Sequence, residues 1–430
     1  MSQEYDELNR RREARRKQRL AAQRRLRRKL LLAGALLIAC GVGIYLFASR
    51  GGSASTPDGE AVVQTRPVVT EPEETLRSQR ATSRVIHIRA AGDLNVTDNV
   101  ILAGTGGAGY NFTNCFMEVM PVLSSADLTM LNFEGNLCGE PYGSLTASAP
   151  NTMADALRSA GVDLVQTANS YSVNNGLIGL TSTLTAFRNA GIEPLGTFSS
   201  SEEFRKTGGY TICEVQGIRI AVVAFTKGVG SMGLPAGSED CVNLLYTDYA
   251  TTYKSIDTDG IKAVLKAAAA EKPDITIAML HWGSEHNDVV SDSQKKLVSL
   301  MKKQGVDIIL GSHSHRLQQI EFDETTGTLV AYSLGDFFGD GTDAGSNYSI
   351  ILDVEITQDL EKGTTKVTGY SYFPIYTLQE SDCDGQRRVV LIETAMRAYK
   401  ENYLDKVTTS AYQGMENALA RIEARVAGKY

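Results

Sequence analysis

Nine apolar stretches, six to nine residues long and rich in valine and isoleucine, punctuate residues 85–357 and dictate the fold class. They are VIHIRAA (85–91), LTMLNF (128–133), VDLVQTA (162–168), YTICEV (210–215), IRIAVVAF (218–225), DITIAMLHW (274–282), VDIILG (306–311), TLVAYSL (328–334) and SIILDVEIT (349–357). Runs this short and this uniformly apolar read as buried strands. Between them, 151–160, 177–190, 258–271 and 290–304 read as helices. The last carries an apolar stripe at Leu297, Leu300 and Met301 and a stop at Gly305. Gln216–Gly217 joins two of the strands as a hairpin turn. Strands alternating with helices mean a layered α/β domain. The late strands, 328–375, add antiparallel pairing, and residues 386–428 read as helical again. A hydrophobic share of 42% against 22% charged residues supplies a real core.

The N-terminal part obeys different rules. Residues 1–30 hold twelve Lys and Arg against four Asp and Glu, while the rest of the chain holds 31 against 46. Directly after this basic head, residues 30–49 carry no charge. That length crosses about 30 Å of hydrocarbon as a helix, whereas a cleaved signal has an apolar core of only about 7–15 residues. An uncleaved transmembrane helix is the expectation, although small residues around Ser53–Ser55 leave cleavage open. Only Arg50 and Arg66 follow the span closely, so the positive-inside rule places the N-terminus in the cytoplasm and the main domain outside. Beside a span, the basic head is read as orienting the chain and meeting anionic lipid, not nucleic acid. The expected division is a basic cytoplasmic segment (1–29), a transmembrane helix (30–49), a small-residue and Pro-rich linker (50–84), the α/β domain (85–385) and a C-terminal helical segment (386–430). Cys115, Cys138, Cys213, Cys241 and Cys383 would lie where disulfides can form, but five is an odd number and leaves at least one thiol free.

Polar residues gather where the strands stop. Asp93 and Asn95 end the first strand, and Asn132, Glu134 and Asn136 the second. Asn169 ends the third, His281 and Glu285 a later one, His313 and His315 the next, and Asp336 another. Four of the five histidines fall between 281 and 315. In open α/β sheets the loops beyond the strands' carboxyl ends form the ligand crevice. Carboxylate, amide and imidazole together suit a divalent Mn, Zn or Fe ion; the mixture is wrong for an all-oxygen calcium cage. His87, inside a strand, and His286 are read as ordinary core or surface residues.

The ordered series GD, NFE, ANSY, HWGSE, GSHSH and YSLGD resembles the CapA-type poly-γ-glutamate capsule-synthesis family, a branch of the calcineurin-like metallophosphoesterases, over about 86–340. The resemblance implies a four-layer αββα sandwich with a metal site on one edge. Carried over position by position, it implies one or two divalent ions held by Asp93, Glu134, Asn169, His281, His313 and His315. Glu285 and Gln318 match further polar positions. Two positions depart from the family pattern: Tyr171 stands where a histidine is usual, and Asp336 where an asparagine is usual. Tyr171, Glu285 and His315 are the expected catalytic groups, and Asn95, Asn136, Gln318 and Asp336 the expected substrate contacts.

Two functions follow from this. One is a membrane-anchored hydrolase or transferase acting outside the cell on poly-γ-glutamate, a related anionic polymer or a phosphoester. The other is a non-catalytic, metal-containing component of a capsule synthesis or export assembly, with membrane partners of that assembly.

Overall fold

Strand β1 (Ser83–Asn95) shows how the layers arise. Ile86, Ile88 and Ala90 project from one face into the core between two sheets. Past Ala90 the register against the neighbouring strand shifts, and both Ala91 and Leu94 join the core on the opposite face. The bulge thereby turns Asp93 and Asn95 away from the helix-covered face. This is a computed structural model; it describes residues 82–429 except 108, 231–232, 384–385 and 402–406. The basic segment, the expected transmembrane helix and nearly all of the linker lie outside the described residues. Among the described residues no helix is long and apolar enough to cross a membrane.

The other strands of the two large sheets are β2 (Leu128–Glu134), β3 (Leu164–Gln166), β4 (Glu193–Leu195), β5 (Tyr210–Val215), β6 (Ile218–Thr226), β7 (Ile275–His281), β8 (Ile308–Ser312), β9 (Ile320–Asp323), β10 (Thr328–Ala331), β11 (Asp336–Phe338), β12 (Tyr348–Asp359), β13 (Thr364–Leu378) and β14 (Arg388–Leu391). The first sheet runs β14-β13-β12-β1-β2-β3-β4, with β11 paired to the end of β1; the second runs β9-β10-β8-β7-β6-β5. Strands β1 to β4 are mutually parallel, as are β6, β7, β8 and β10. The hairpin at Gln216 and Gly217 has positive φ at both residues (48° and 79°), the signature of a turn that matches strand twist.

Inner-face residues of both sheets form one core, including Met130 and Leu352 from the first sheet and Ile220, Ile277 and Leu310 from the second. Helices α1 (Asp98–Gly104), α2 (Thr152–Ala160) and α3 (Gly176–Asn189) cover the outer face of the first sheet, through Val100, Met153, Leu157 and Phe187. Helices α4 (Thr258–Ala270) and α5 (Asp292–Lys303) cover the second through Val264, Leu265, Leu297 and Met301. The mixed α/β fold therefore has helix, sheet, sheet and helix in succession. Ser291 begins α5 in a reciprocal capping box with Gln294.

Residues 386–428 differ from expectation. Residues 388–391 form edge strand β14, and only then come α6 (Ile392–Lys400) and α7 (Thr409–Val426). Met415, Ala418 and Ile422 of α7 join the inter-sheet core and pack on β12 and β13. Cys115, Cys138, Cys213, Cys241 and Cys383 are all free thiols.

Candidate metal centre

The inner faces change character at the carboxyl ends of their strands. Along β2, Leu128 and Met130 face the inter-sheet core, and the same period of two carries on to Asn132 and Glu134. Along β7, Ile275, Ile277 and Met279 lead to His281. Along β8, Ile308 and Leu310 lead to Ser312, and His313 follows. Hydrogen-bonded registers align these ends: Asp93 stands beside Asn132 and Asp336, and His281 beside Ser312 and Thr226. A buried apolar seam thus ends in a buried polar cluster.

Two glycines let the strands close at this edge. A Cβ on Gly92 would lie 1.8 Å from the Gly335 carbonyl oxygen, which accepts the Asp93 amide at 2.8 Å. A Cβ on Gly311 would lie 2.0 Å from the Tyr332 oxygen. Both contacts demand a residue without a side chain.

Two sets of ligand-grade atoms result. Glu134, His281 and His313 form one; Asp93, His315 and Asp336 form the other. Within each set the atoms lie within 4.8 Å of one another. The Asn132 amide links them, donating to Asp93 Oδ1 at 2.7 Å and Glu134 Oε1 at 3.1 Å. The His313 backbone amide donates to Asp93 Oδ2 at 3.0 Å. His315 Nδ1 lies 2.8 Å from Asp336 Oδ1, and its Nε2 lies 3.9 Å from Glu134 Oε2. His281 contacts Ser312 Oγ through Nδ1 (3.2 Å) and Ser170 Oγ through Nε2 (3.1 Å). His313 and His315 both hold positive φ, 89° and 54°, a conformation that costs a non-glycine residue on the order of 1–2 kcal/mol. Strain of this kind persists where the surroundings over-determine the geometry.

The electrostatics call for a cation. Burial holds His281 and His313 well below the usual histidine range, and neighbouring cations add to the effect, so both rings stay neutral and keep a lone pair. The buried His313 Nδ1 has no hydrogen-bond partner. Burial also raises Glu134, with Asp93 adding to the rise, and lifts Asp93 to about 6. For His315, burial pulls downward, but the carboxylates of Glu134, Asp336 and Asp93 prevail and raise it to about 11. Burial and mutual repulsion thus set Asp93 and Glu134 against ionisation, a cost that a bound cation would relieve. Neutral imidazoles, carboxylates and an orphaned ring nitrogen fit a divalent transition-metal ion.

The expected residues fall into three groups. Asp93, Glu134, His281, His313 and His315 converge, and Asp336, expected at the substrate, sits among them as a potential ligand. Asn169 is buried beside them; its amide donates to Asn132 Oδ1 (3.2 Å) and the Phe133 carbonyl (2.6 Å), and its Oδ1 accepts the Tyr171 amide (3.0 Å). Asn95, Tyr171 and Glu285 line a cavity of about 210 Å³ over the cluster. Asn136 and Gln318, expected at the substrate, are not among the residues lining this cavity. Each is 1% exposed, and each amide is spent on a loop. Asn136 donates to the Tyr171 carbonyl and accepts from Asn175. Gln318 accepts from Gln294 and donates to the Asn287 carbonyl. His286, read as ordinary, lines the cavity with its ring 5.6 Å from that of His315. His87 behaves as expected, pairing with Asp353 at 3.0 Å inside β1. The linking role of Asn132 went unassigned, although it lies two residues before Glu134 and so on the same strand face.

Residues 87–340 match the family model described as "Bacterial capsule synthesis protein PGA_cap". The capsule biosynthesis protein CapA of Bacillus anthracis is 28% identical over 241 residues, covering 54% of this chain and 55% of that protein. The PGA biosynthesis protein CapA of Bacillus subtilis strain 168 is 26% identical over 230 residues, covering 52% and 56%. The chain thus spans about half the length of the curated relatives it matches. A solved structure, the calcineurin-like phosphoesterase YfkN from Bacillus subtilis, aligns over 79% of this chain and 99% of its own at 15% identity, with a TM-score of 0.41. That likeness is too distant to bear on the chemistry. The family match takes in all six residues of the two ligand sets, and with it more than half of the sequence: the chain belongs to the bacterial capsule synthesis protein PGA_cap family.

Proposed function

We propose that the chain is a metal-dependent hydrolase or transferase, anchored in the cytoplasmic membrane, that acts outside it on poly-γ-glutamate, a related anionic polymer or a phosphoester during capsule synthesis. The observation that carries this reading is the convergence of the two carboxylate–imidazole sets at the end of the inter-sheet seam. The name of one curated relative, the PGA biosynthesis protein CapA, supports the choice of polymer.

One or two Mn, Zn or Fe ions would be held by Glu134, His281 and His313 and by Asp93, His315 and Asp336. When bound, such an ion polarises the attacked bond and activates water. The chain's own groups do the rest. Asn132 fixes Asp93 and Glu134, and Asp336 fixes the ring of His315. Glu285, exposed at the cavity mouth, is placed to take a proton from the attacking group. The Tyr171 hydroxyl, raised to about 12 by burial and by Glu134 and Glu285, stays protonated and can donate to an anionic oxygen. So reluctant an acid also supports a second reading, in which the chain grips polymer without cleaving it.

Elemental analysis of the purified full chain tests the shared premise. His281→Ala and His313→Ala are each expected to lower metal content sharply, and His87→Ala to leave it unchanged. Retained metal in all three variants would overturn the assignment, and equal loss in all three would mean general unfolding. Uptake by the metal-free chain is expected to weaken as pH falls through about 6, where Asp93 gains a proton that must leave before it can bind an ion.

A further inference from the structure

Tyr171 and Glu285 are shared walls between two cavities of different electrical character. The first, already described, carries the carboxylates of Glu134, Glu285, Asp336, Asp340 and Asp343. The second, about 450 Å³, is lined by Lys227, Tyr253, Ser170, Asn174 and His313 besides the shared pair, and Glu285 is the one carboxylate in its lining. An anionic polymer is repelled by Asp340 and Asp343 of the first cavity, which lie outside both ligand sets, and finds a cation in the second.

Lys227 is held in place for such a contact. It follows directly on Thr226, whose register partner is His281, and its backbone amide donates to the His281 carbonyl at 2.8 Å. It therefore stands on the same strand edge as the metal ligands. Its Nζ donates to the Gly283 carbonyl at 2.7 Å and lies 4.6 Å from the centre of the Tyr253 ring. An ammonium group has three donors, so two remain for a ligand. Among the described residues no carboxylate lies within ion-pairing distance of Lys227, which is half-buried. A half-buried ammonium whose opposing charge, Glu285, does not reach ion-pairing distance, in a chamber walled by hydroxyl and amide groups, is open to an oxyanion.

We propose that the Lys227 chamber is the subsite for the substrate's oxyanion, the free α-carboxylate of a γ-linked glutamate unit, and that the polymer enters from this side. His313, in the wall of this chamber, then brings the unit next to the metal ligands, and the acidic cavity beyond Tyr171 stays clear of the polymer's anionic groups. This inference rests on the metal-dependent, polymer-directed reading above.

The test is equilibrium binding to the full chain with metal saturating, using a γ-linked glutamate hexamer, the same hexamer with its carboxylates amidated, and inorganic phosphate. Lys227→Met is expected to weaken hexamer binding about 10- to 100-fold, the range of a charge-assisted hydrogen bond. Lys227→Arg should restore most of it, and the amidated hexamer should not distinguish wild type from variant. Weakened binding of phosphate alone would keep the oxyanion subsite but overturn the carboxylate assignment. Equal affinities in wild type and Lys227→Met for both anions, or no binding of either by the wild type, would overturn the subsite. Metal content is measured in parallel and should not change in either variant, since Lys227 is not a ligand. A wild type without metal would fail the underlying reading, an outcome separate from any result at Lys227.

Discussion

At Tyr171 a single side chain separates the two proposed activities. A histidine there could give a proton to a leaving group near neutral pH; a phenol raised to about 12 cannot. The chain, if a hydrolase, is expected to cleave aryl phosphates far faster than alkyl phosphates, whose leaving oxygen needs that proton. General acid help is worth about 10²- to 10⁴-fold, so the gap should be of that order. Tyr171→His should narrow it by raising the alkyl rate and leaving the aryl rate nearly unchanged. Turnover of neither ester by metal-loaded wild type or variant favours the binding reading, and efficient alkyl cleavage by the wild type would show the tyrosine to be no handicap. Residue by residue, the site was legible wherever the period of two in a strand ran on into a polar end, as from Met130 to Glu134 or from Met279 to His281. Amides were less legible. Asn136, Asn169 and Gln318 carry groups equally suited to a ligand and to a loop, and only the fold shows that Asn136 and Gln318 brace loops. Lys227 escaped notice because a lone lysine after a strand carries no pattern; its meaning comes from a cavity built by four other segments.

The junction of β1 with β11 decides whether the elements deliver the site at all. Gly92 lies against the Gly335 carbonyl, so the two Gly-Asp pairs, remote in sequence, close onto each other and set Asp93 beside Asp336. In Gly92→Ala the new methyl group pushes β11 off β1 and breaks the hydrogen bond from the Asp93 amide. Overpacking and a lost buried bond together predict a destabilisation of about 2–4 kcal/mol, read by denaturant titration, with metal content falling alongside. Gly106→Ala is the control: a Cβ there meets nothing within 4 Å, and stability should hardly change. An unchanged midpoint in Gly92→Ala would refute the closing role of that contact. All nine strands expected from sequence are present, because valine and isoleucine runs leave little choice once buried. The missed ones before and between the late strands are two to four residues long: the pair Thr105–Gly106 and Gly109–Tyr110, β4 with its Pro194, β9, β11 of three residues, and β14 directly before a helix. Elements that short owe their conformation to neighbouring strands rather than to their own pattern.

On the scale of the whole molecule, the partition into two sheets was not legible from periodicity. The inner faces of β1 and β7 are equally apolar, and nothing in either says which strands it will join. The β1–β12 pairing spans more than 250 residues of sequence, a contact no local pattern encodes. Topology across the membrane is the reverse case: it lies outside the described residues and rests on charge alone. Twelve basic residues precede the uncharged run at 30–49, and two follow it closely. Since positive charge near a span stays in the cytoplasm, the α/β domain is expected outside, where a capsule polymer would be met. The basic head is then available to anionic lipid of the inner leaflet, at about 1 kcal/mol per charge near the surface. Protease added to intact cells should therefore remove the domain and leave an epitope at residue 1 protected until the membrane is opened. A domain that resists until lysis would reverse the topology and, with it, the proposal that the site works on polymer outside the membrane. Release of the domain into the medium without protease, cut near Ser53–Ser55, would instead identify the apolar run as a cleaved signal and leave the site on the same side.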